Sequence, residues 1–170
     1  VPIFVAGLKD KVSLTFVEQA MDRLKPSAII TATAFASGSD ADGKTLFDRL
    51  GVPVLQVIVA TTRRDAWAEN RRGLGPADLA MHVVLPELDG RILAGAVSFK
   101  DARDADELGF AGLINQPEPD RVSQVAERIT GLLRLQKTER RDRRILILIP
   151  DYPGAPGRTG YAVGLDVPQS

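Results

Sequence analysis

Apolar positions along the chain alternate between short continuous runs and helical stripes. Pro2–Ala6 is an apolar run of strand type, broken by Lys9-Asp10. Phe16, Val17, Ala20, Met21 and Leu24 then recur at helical spacing, with Glu18, Asp22 and Arg23 on other faces. Pro26 ends that helix, because proline disfavours the α region for the residue before it. Ala28–Ala34 (AIITATA) reads as a buried strand rich in β-branched residues. A turn-rich stretch, Ser37–Gly43, leads into a short helix, Thr45–Leu50, and Val52–Ala60 is another buried strand. Arg63–Arg72 reads as a helix anchored by Trp67, and Gly73 and Gly75-Pro76 punctuate before Ala77–Met81. Val83–Leu88 and Arg91–Phe99 are extended runs joined by Asp89-Gly90, a dipeptide that predicts a tight antiparallel hairpin. Asp101–Glu118 is charged and aperiodic, a loop or lid. Val122, Val125, Ala126, Ile129, Leu132 and Leu133 give the cleanest amphipathic helix, and Ile145–Ile149 the last strand.

Continuous apolar strands separated by helices predict a mostly parallel sheet. The expected fold is α/β: a Rossmann-like or flavodoxin-like sheet with helices on both faces, plus the antiparallel hairpin. In such sheets ligands bind beyond the carboxyl ends of the strands, which directs attention to Thr33–Gly43 and Thr61-Thr62. Residues 1–150 form the expected domain. Residues 151–170, with glycines, prolines and no periodicity, read as a linker or the start of a further domain. The first residue is Val1, and the chain reads as an internal fragment.

Composition narrows the chemistry. Hydrophobic residues make up 44% and charged residues 26% of 170, the balance of a chain with a substantial core. Lys plus Arg and Asp plus Glu number 22 each, so no net charge draws the chain to nucleic acid or an anionic membrane. Cysteine is absent, which excludes disulfides, thiolate metal sites and a cysteine nucleophile. The single histidine, His82, excludes a multi-histidine site within the chain. No apolar run approaches the roughly 20 residues of a membrane-spanning helix, and Val1–Gly7 itself lacks the basic region and the length of a signal peptide. A cytoplasmic setting is expected.

Gly38–Thr45 (GSDADGKT) matches the phosphate-loop pattern G-x-x-x-x-G-K-[ST] and follows a strand. Such a loop turns backbone N–H groups inward around phosphates. Asp40 and Asp42 would put two negative charges inside that cradle, and the following helix is too short for the usual crossover. The pattern therefore reads as a polar loop, with a nucleotide-binding domain kept as the alternative.

The run Gly73–Gly90, ending in LPELDG, is the most distinctive in the chain. Taken by themselves, His82 fits a structural histidine, Glu87 a solvated carboxylate beside a turn, and Asp89 the turn itself. A non-catalytic scaffold module is the corresponding alternative. Yet GLGPADLAMHVVLPELDGRI, together with TATAF (31–35), GVPVLQVIVATTRRDAW (51–67), YPG (152–154) and VGLD (163–166), resembles the CobN/magnesium chelatase H subunit family over nearly the whole chain.

That resemblance implies a domain of a much longer large subunit, which inserts a divalent metal into a tetrapyrrole. The cobalt branch acts on the corrinoid hydrogenobyrinic acid a,c-diamide, in aerobic cobalamin biosynthesis. AAA+ ATPase partner subunits hydrolyse ATP with Mg²⁺, which agrees with setting aside the phosphate-loop pattern. Metal insertion requires removal of two pyrrole protons and delivery of a partly desolvated ion, tasks a carboxylate can serve. Glu87, within the PELDG motif, is the implied catalytic and metal-contacting residue. His82, where the magnesium enzymes tend to carry glutamine, is implied as a second metal contact favouring Co²⁺, since imidazole suits transition metals and Mg²⁺ prefers oxygen. On one straight strand the two side chains would point to opposite faces.

Overall fold

The structure, a computed structural model, describes residues 10–39, 41–102, 109, 112–148, 160 and 169. The strand expected at Pro2–Ala6 lies outside them, as do the YPG and VGLD motifs. The backbone divides into two compact units, Val1–Arg134 and Leu135–Ser170.

In the first unit, α1 (Lys11–Leu24) starts at Asp10, whose carboxylate accepts the Ser13 N–H at 2.9 Å. It stops where Lys25 turns left-handed before Pro26. The following elements are β1 (Ile29–Thr31), α2 (Leu46–Leu50), β2 (Val54–Arg63) and α3 (Arg64–Glu69). A composite helix follows: α4 (Pro76–Leu79), a π-helical turn (Ala80–Val84) and α5 (Leu85–Glu87). The unit continues with β3 (Ile92–Ala102), β4 (Leu113–Pro117) and α6 (Pro119–Lys137). α6 crosses the boundary between the units.

The four strands form one sheet in the order β1-β2-β3-β4. β1 and β3 both run parallel to β2, and β4 is antiparallel to β3. The protein is thus mixed α/β with a mostly parallel sheet. β1 stops where Thr31 pairs with Gln56, while β2 and β3 run on together to Arg63 and Lys100. In β3 the register jumps between Leu93 and Gly95, and Gly95 adopts φ 136°, a bulge only glycine accommodates without strain.

The core gathers in two clusters along β2. Ile58, Ala60, Ala96 and Phe99 pack with Trp67, Leu74 and Val83. Leu46, Phe47 and Val54 pack with Leu14, Val17, Ile29 and Leu50. Trp67 serves as the expected anchor of α3, its ring 4.7 Å from that of Phe99.

Three expectations are corrected. Val83–Glu87 is helical and Leu88 lies in the turn after it, so no hairpin turns at Asp89-Gly90. Gly90 has the expected positive φ, 71°, but it follows the end of a helix. The antiparallel pair is instead β3–β4, and β4 falls within the stretch expected to be a loop. In the second unit, residues 145–148 form no strand and are 77–83% exposed. No helix among the described residues is long and apolar enough to cross a membrane.

Candidate functional site

The composite helix carries the most distinctive stretch of sequence, and its amphipathicity is inverted. Its inward positions are Asp78, His82 and Pro86, with Asp89 just beyond its end, all buried. Spacings of four, four and three place them on one helical face. The outward positions include Leu79, Val84, Glu87 and Leu88, all exposed. A polar inner face is stable only where each buried group finds partners.

Asp78 finds them at the end of β2. Its carboxylate accepts the Thr61 N–H (2.9 Å) and hydroxyl (2.7 Å), and the Thr62 N–H (3.0 Å) and hydroxyl (2.6 Å). Burial by itself would raise the Asp78 pKa, but these hydrogen bonds outweigh it and hold the group below its ordinary value of 3.8. A carboxylate whose folded pKa is depressed stabilises the fold above its unfolded pKa and loses that contribution as pH falls toward the folded value. Asp78→Ala should therefore cost about 3 kcal/mol at neutral pH, since each buried donor left without a partner costs about 1–3 kcal/mol. The difference from wild type should shrink below pH about 4. Urea unfolding across that range measures it; a difference independent of pH would show that the charge contributes nothing.

Asp89 finds its partners in a second buried network. Arg91 donates from one terminal nitrogen to Asp89 at 2.6 Å, and from the other to Gln56 Oε1 and the Thr33 carbonyl, both at 2.9 Å. Gln56 donates to the same Thr33 carbonyl at 3.1 Å. The Ser37 N–H and hydroxyl donate to Asp89 at 2.8 and 3.1 Å. The Arg91 guanidinium also lies 4.9 Å from the centre of the Phe47 ring. The loop after β1 is thereby laced to the end of the helix that carries LPELDG.

Between these anchors lies the π-turn. Pro86 cannot donate to a helical carbonyl, and its ring clashes with the carbonyl four residues back in α geometry. Widening the preceding turn relieves that clash: the Leu85 N–H reaches the Ala80 carbonyl, five residues earlier. His82 sits within the turn, 6% exposed, and its Nδ1 is buried with no hydrogen-bond partner. Glu87, just past the turn, is exposed. The two sequence-expected site residues thus share one helix but not one face: His82 points inward and Glu87 outward. Among the described residues no cluster of three or more metal-ligating side chains exists.

Sequence reasoning missed the roles of Asp78, Arg91 and Gln56. For Asp78 a signal was present, since Gly75-Pro76-x-Asp78 is the opening of a helix, with proline at the first position and an acid in the first turn. For the other two there was none.

The remaining candidate places carry less. Thr45 caps α2, and its N–H and hydroxyl both donate to Asp48 Oδ2 (2.8 and 2.9 Å). The helix behind the phosphate-loop pattern has only 5 residues. An apolar groove of about 470 Å³ runs between Ile30, Val57 and Val97 of the sheet and Val122, Val125 and Ile129 of α6. Neither His82 nor Glu87 lines it.

A family model described as CobN/Magnesium Chelatase matches residues 1–170. The aerobic cobaltochelatase subunit CobN of Sinorhizobium sp is 41% identical over 170 residues, 98% of this chain and 13% of that protein. Its counterpart in Pseudomonas aeruginosa is 36% identical over 168 residues, 98% of this chain and 14% of that protein. Among solved structures, the catalytic subunit of cobaltochelatase from Mycobacterium tuberculosis is similar with a TM-score of 0.70 and 28% identity. That likeness covers 97% of this chain and 14% of the other. The chain therefore spans only a small part of the length of the proteins it matches.

Proposed function

Because the chain belongs to the CobN/magnesium chelatase family, we propose that it is a domain of the large subunit of an ATP-dependent cobaltochelatase. The whole subunit would insert Co²⁺ into hydrogenobyrinic acid a,c-diamide, with AAA+ partner subunits hydrolysing ATP with Mg²⁺. The observation that carries this reading is the identity of 36–41% to cobaltochelatase subunits across 98% of the chain. The parallel strands with helical crossovers support a Rossmann-like reading of the sheet.

In this proposal Glu87 meets the substrate. Insertion replaces ring N–H hydrogen by a divalent ion, so the reaction needs a proton acceptor at the ring and a ligand that exchanges places with metal-bound water. An exposed carboxylate on a helix anchored at both ends can do both in turn. Anchoring matters because a mobile carboxylate would lose the orientation that makes proton transfer efficient. His82 acts behind it. Its unpartnered Nδ1 leaves one ring nitrogen without a competing hydrogen bond, and a nitrogen donor favours Co²⁺ over Mg²⁺. Reaching the metal would require opening of the π-turn, which lacks one regular helical hydrogen bond.

The test uses the full-length subunit with its ATPase partners, supplied with the corrinoid and either Co²⁺ or Mg²⁺. The wild type is expected to insert cobalt. His82→Gln should lower its preference for Co²⁺ by about tenfold or more, the lower end of what loss of a metal-orienting group costs. Unchanged cobalt insertion and metal preference would remove His82 from the reaction. This chain alone should bind no ATP and should be inactive.

A further inference from the structure

Phe35 adopts φ 62°, a left-handed conformation that side chains other than glycine and asparagine rarely take. Burial does not repay that strain, because the residue remains 51% exposed. Its N–H donates at 2.8 Å to the Met81 carbonyl, inside the π-turn. The reason that carbonyl is free lies in the sequence. Its α-helical partner, the Leu85 N–H, is diverted to Ala80. Its π-helical partner would be residue 86, a proline with no N–H. Phe35 supplies the missing donor. Thr33 and Ser37, on either side, are tied to Arg91 and Asp89. The strained backbone is therefore held from three points, which is the condition under which such strain persists.

Phe35, with its exposed aromatic side chain, is thus bonded through its backbone to the same composite helix that exposes Val84, Glu87 and Leu88. Glycine or asparagine would make the same backbone hydrogen bond with less strain, so the backbone alone gives no reason for an aromatic residue here. We propose that Phe35 is a stacking contact for the tetrapyrrole, holding the conjugated face of the macrocycle beside the helix that carries Glu87. This rests on the chelatase reading above, and it adds a substrate-binding residue from the TATAF segment. An aromatic face suits such a ligand because the contact needs only a π-surface and leaves the ring nitrogens free for metal exchange.

The test is titration of the full-length subunit with metal-free hydrogenobyrinic acid a,c-diamide, followed by absorbance, together with steady-state insertion kinetics. Phe35→Leu keeps apolar bulk and removes the π-face; it should raise Kd by about tenfold, within the range of aromatic stacking. Phe35→Tyr should stay within about twofold of wild type. KM for the corrinoid should rise with Kd while kcat changes little. Phe35→Gly separates binding from structure: glycine is at ease at this φ, so thermal stability should hold or rise while binding weakens. A wild-type subunit that binds no corrinoid overturns the chelatase reading and this contact with it. A wild type that binds, with Phe35→Leu and Phe35→Gly binding equally well, overturns the contact alone.

Discussion

Glu87→Gln in the full-length subunit is expected to slow cobalt insertion by about 10²–10⁴-fold, the range associated with loss of a positioned acid–base group. The substitution keeps size and shape and removes both the negative charge and the ability to take a proton. The Glu87 side chain is exposed, and the carboxylates that anchor the composite helix are those of Asp78 and Asp89. The variant should therefore fold and melt as the wild type does. Corrinoid affinity should change little, since the lost interaction matters while protons and metal exchange. The loss should then appear in kcat at saturating corrinoid and Co²⁺, with Kd for the metal-free ring preserved. Near-normal turnover would exclude Glu87 from a central role and leave the scaffold alternative in place.

The second large effect concerns the buried pair behind it. Asp89 and Arg91 side chains are 2% and 1% exposed. Removing one partner of such a pair leaves an uncompensated charge in the interior, which costs about 3–5 kcal/mol. Asp89→Ala should destabilise the chain by that amount, because Arg91 stays against Gln56, Thr33 and Phe47 with its charge unmatched and Ser37 loses its acceptor. Replacing both, as Asp89→Ala with Arg91→Met, should cost less than the sum of the single changes, since the double variant buries no charge. Urea unfolding of the four proteins closes the cycle. Additive costs would mean that the two groups do not act as a pair. Because the same network holds the loop carrying Phe35, Asp89→Ala should also weaken corrinoid binding.

The helices α1 and α6 and the strand β2 were legible in the sequence because each carries an apolar stripe or run, which β2 buries from Val54 to Ile58 and the helices bury only in part. The composite helix defeated pattern reading for the opposite reason. Its fully buried positions are aspartate, histidine and proline, while Leu79, Val84 and Leu88 face out, so apolar periodicity does not mark the buried face. Val83-Val84 and Pro86 also argue locally against helix, and Asp89-Gly90 argues for a hairpin. The π-turn accommodates the proline, and Thr61, Thr62 and Arg91 compensate the buried carboxylates. Apart from Arg91, which stands two residues from Asp89, none of these partners is close in sequence to what it satisfies.

Sequence alone therefore determined the family and the α/β class, and singled out the stretch proposed to carry the chemistry, because distinctive residues such as LPELDG mark a relationship whatever their conformation. It also identified His82 and Glu87 as the side chains to consider. Only the tertiary structure decided that these two lie on opposite faces of a helix, that Asp78 and Asp89 belong to its anchoring, and that Phe35 joins it under strain. The physical reason is that a buried polar group takes its meaning from its hydrogen-bond partners. Apart from the neighbouring Asp89–Arg91 pair, those partners stand 16 to 58 residues away along the chain, and only the folded sheet brings them within hydrogen-bonding distance.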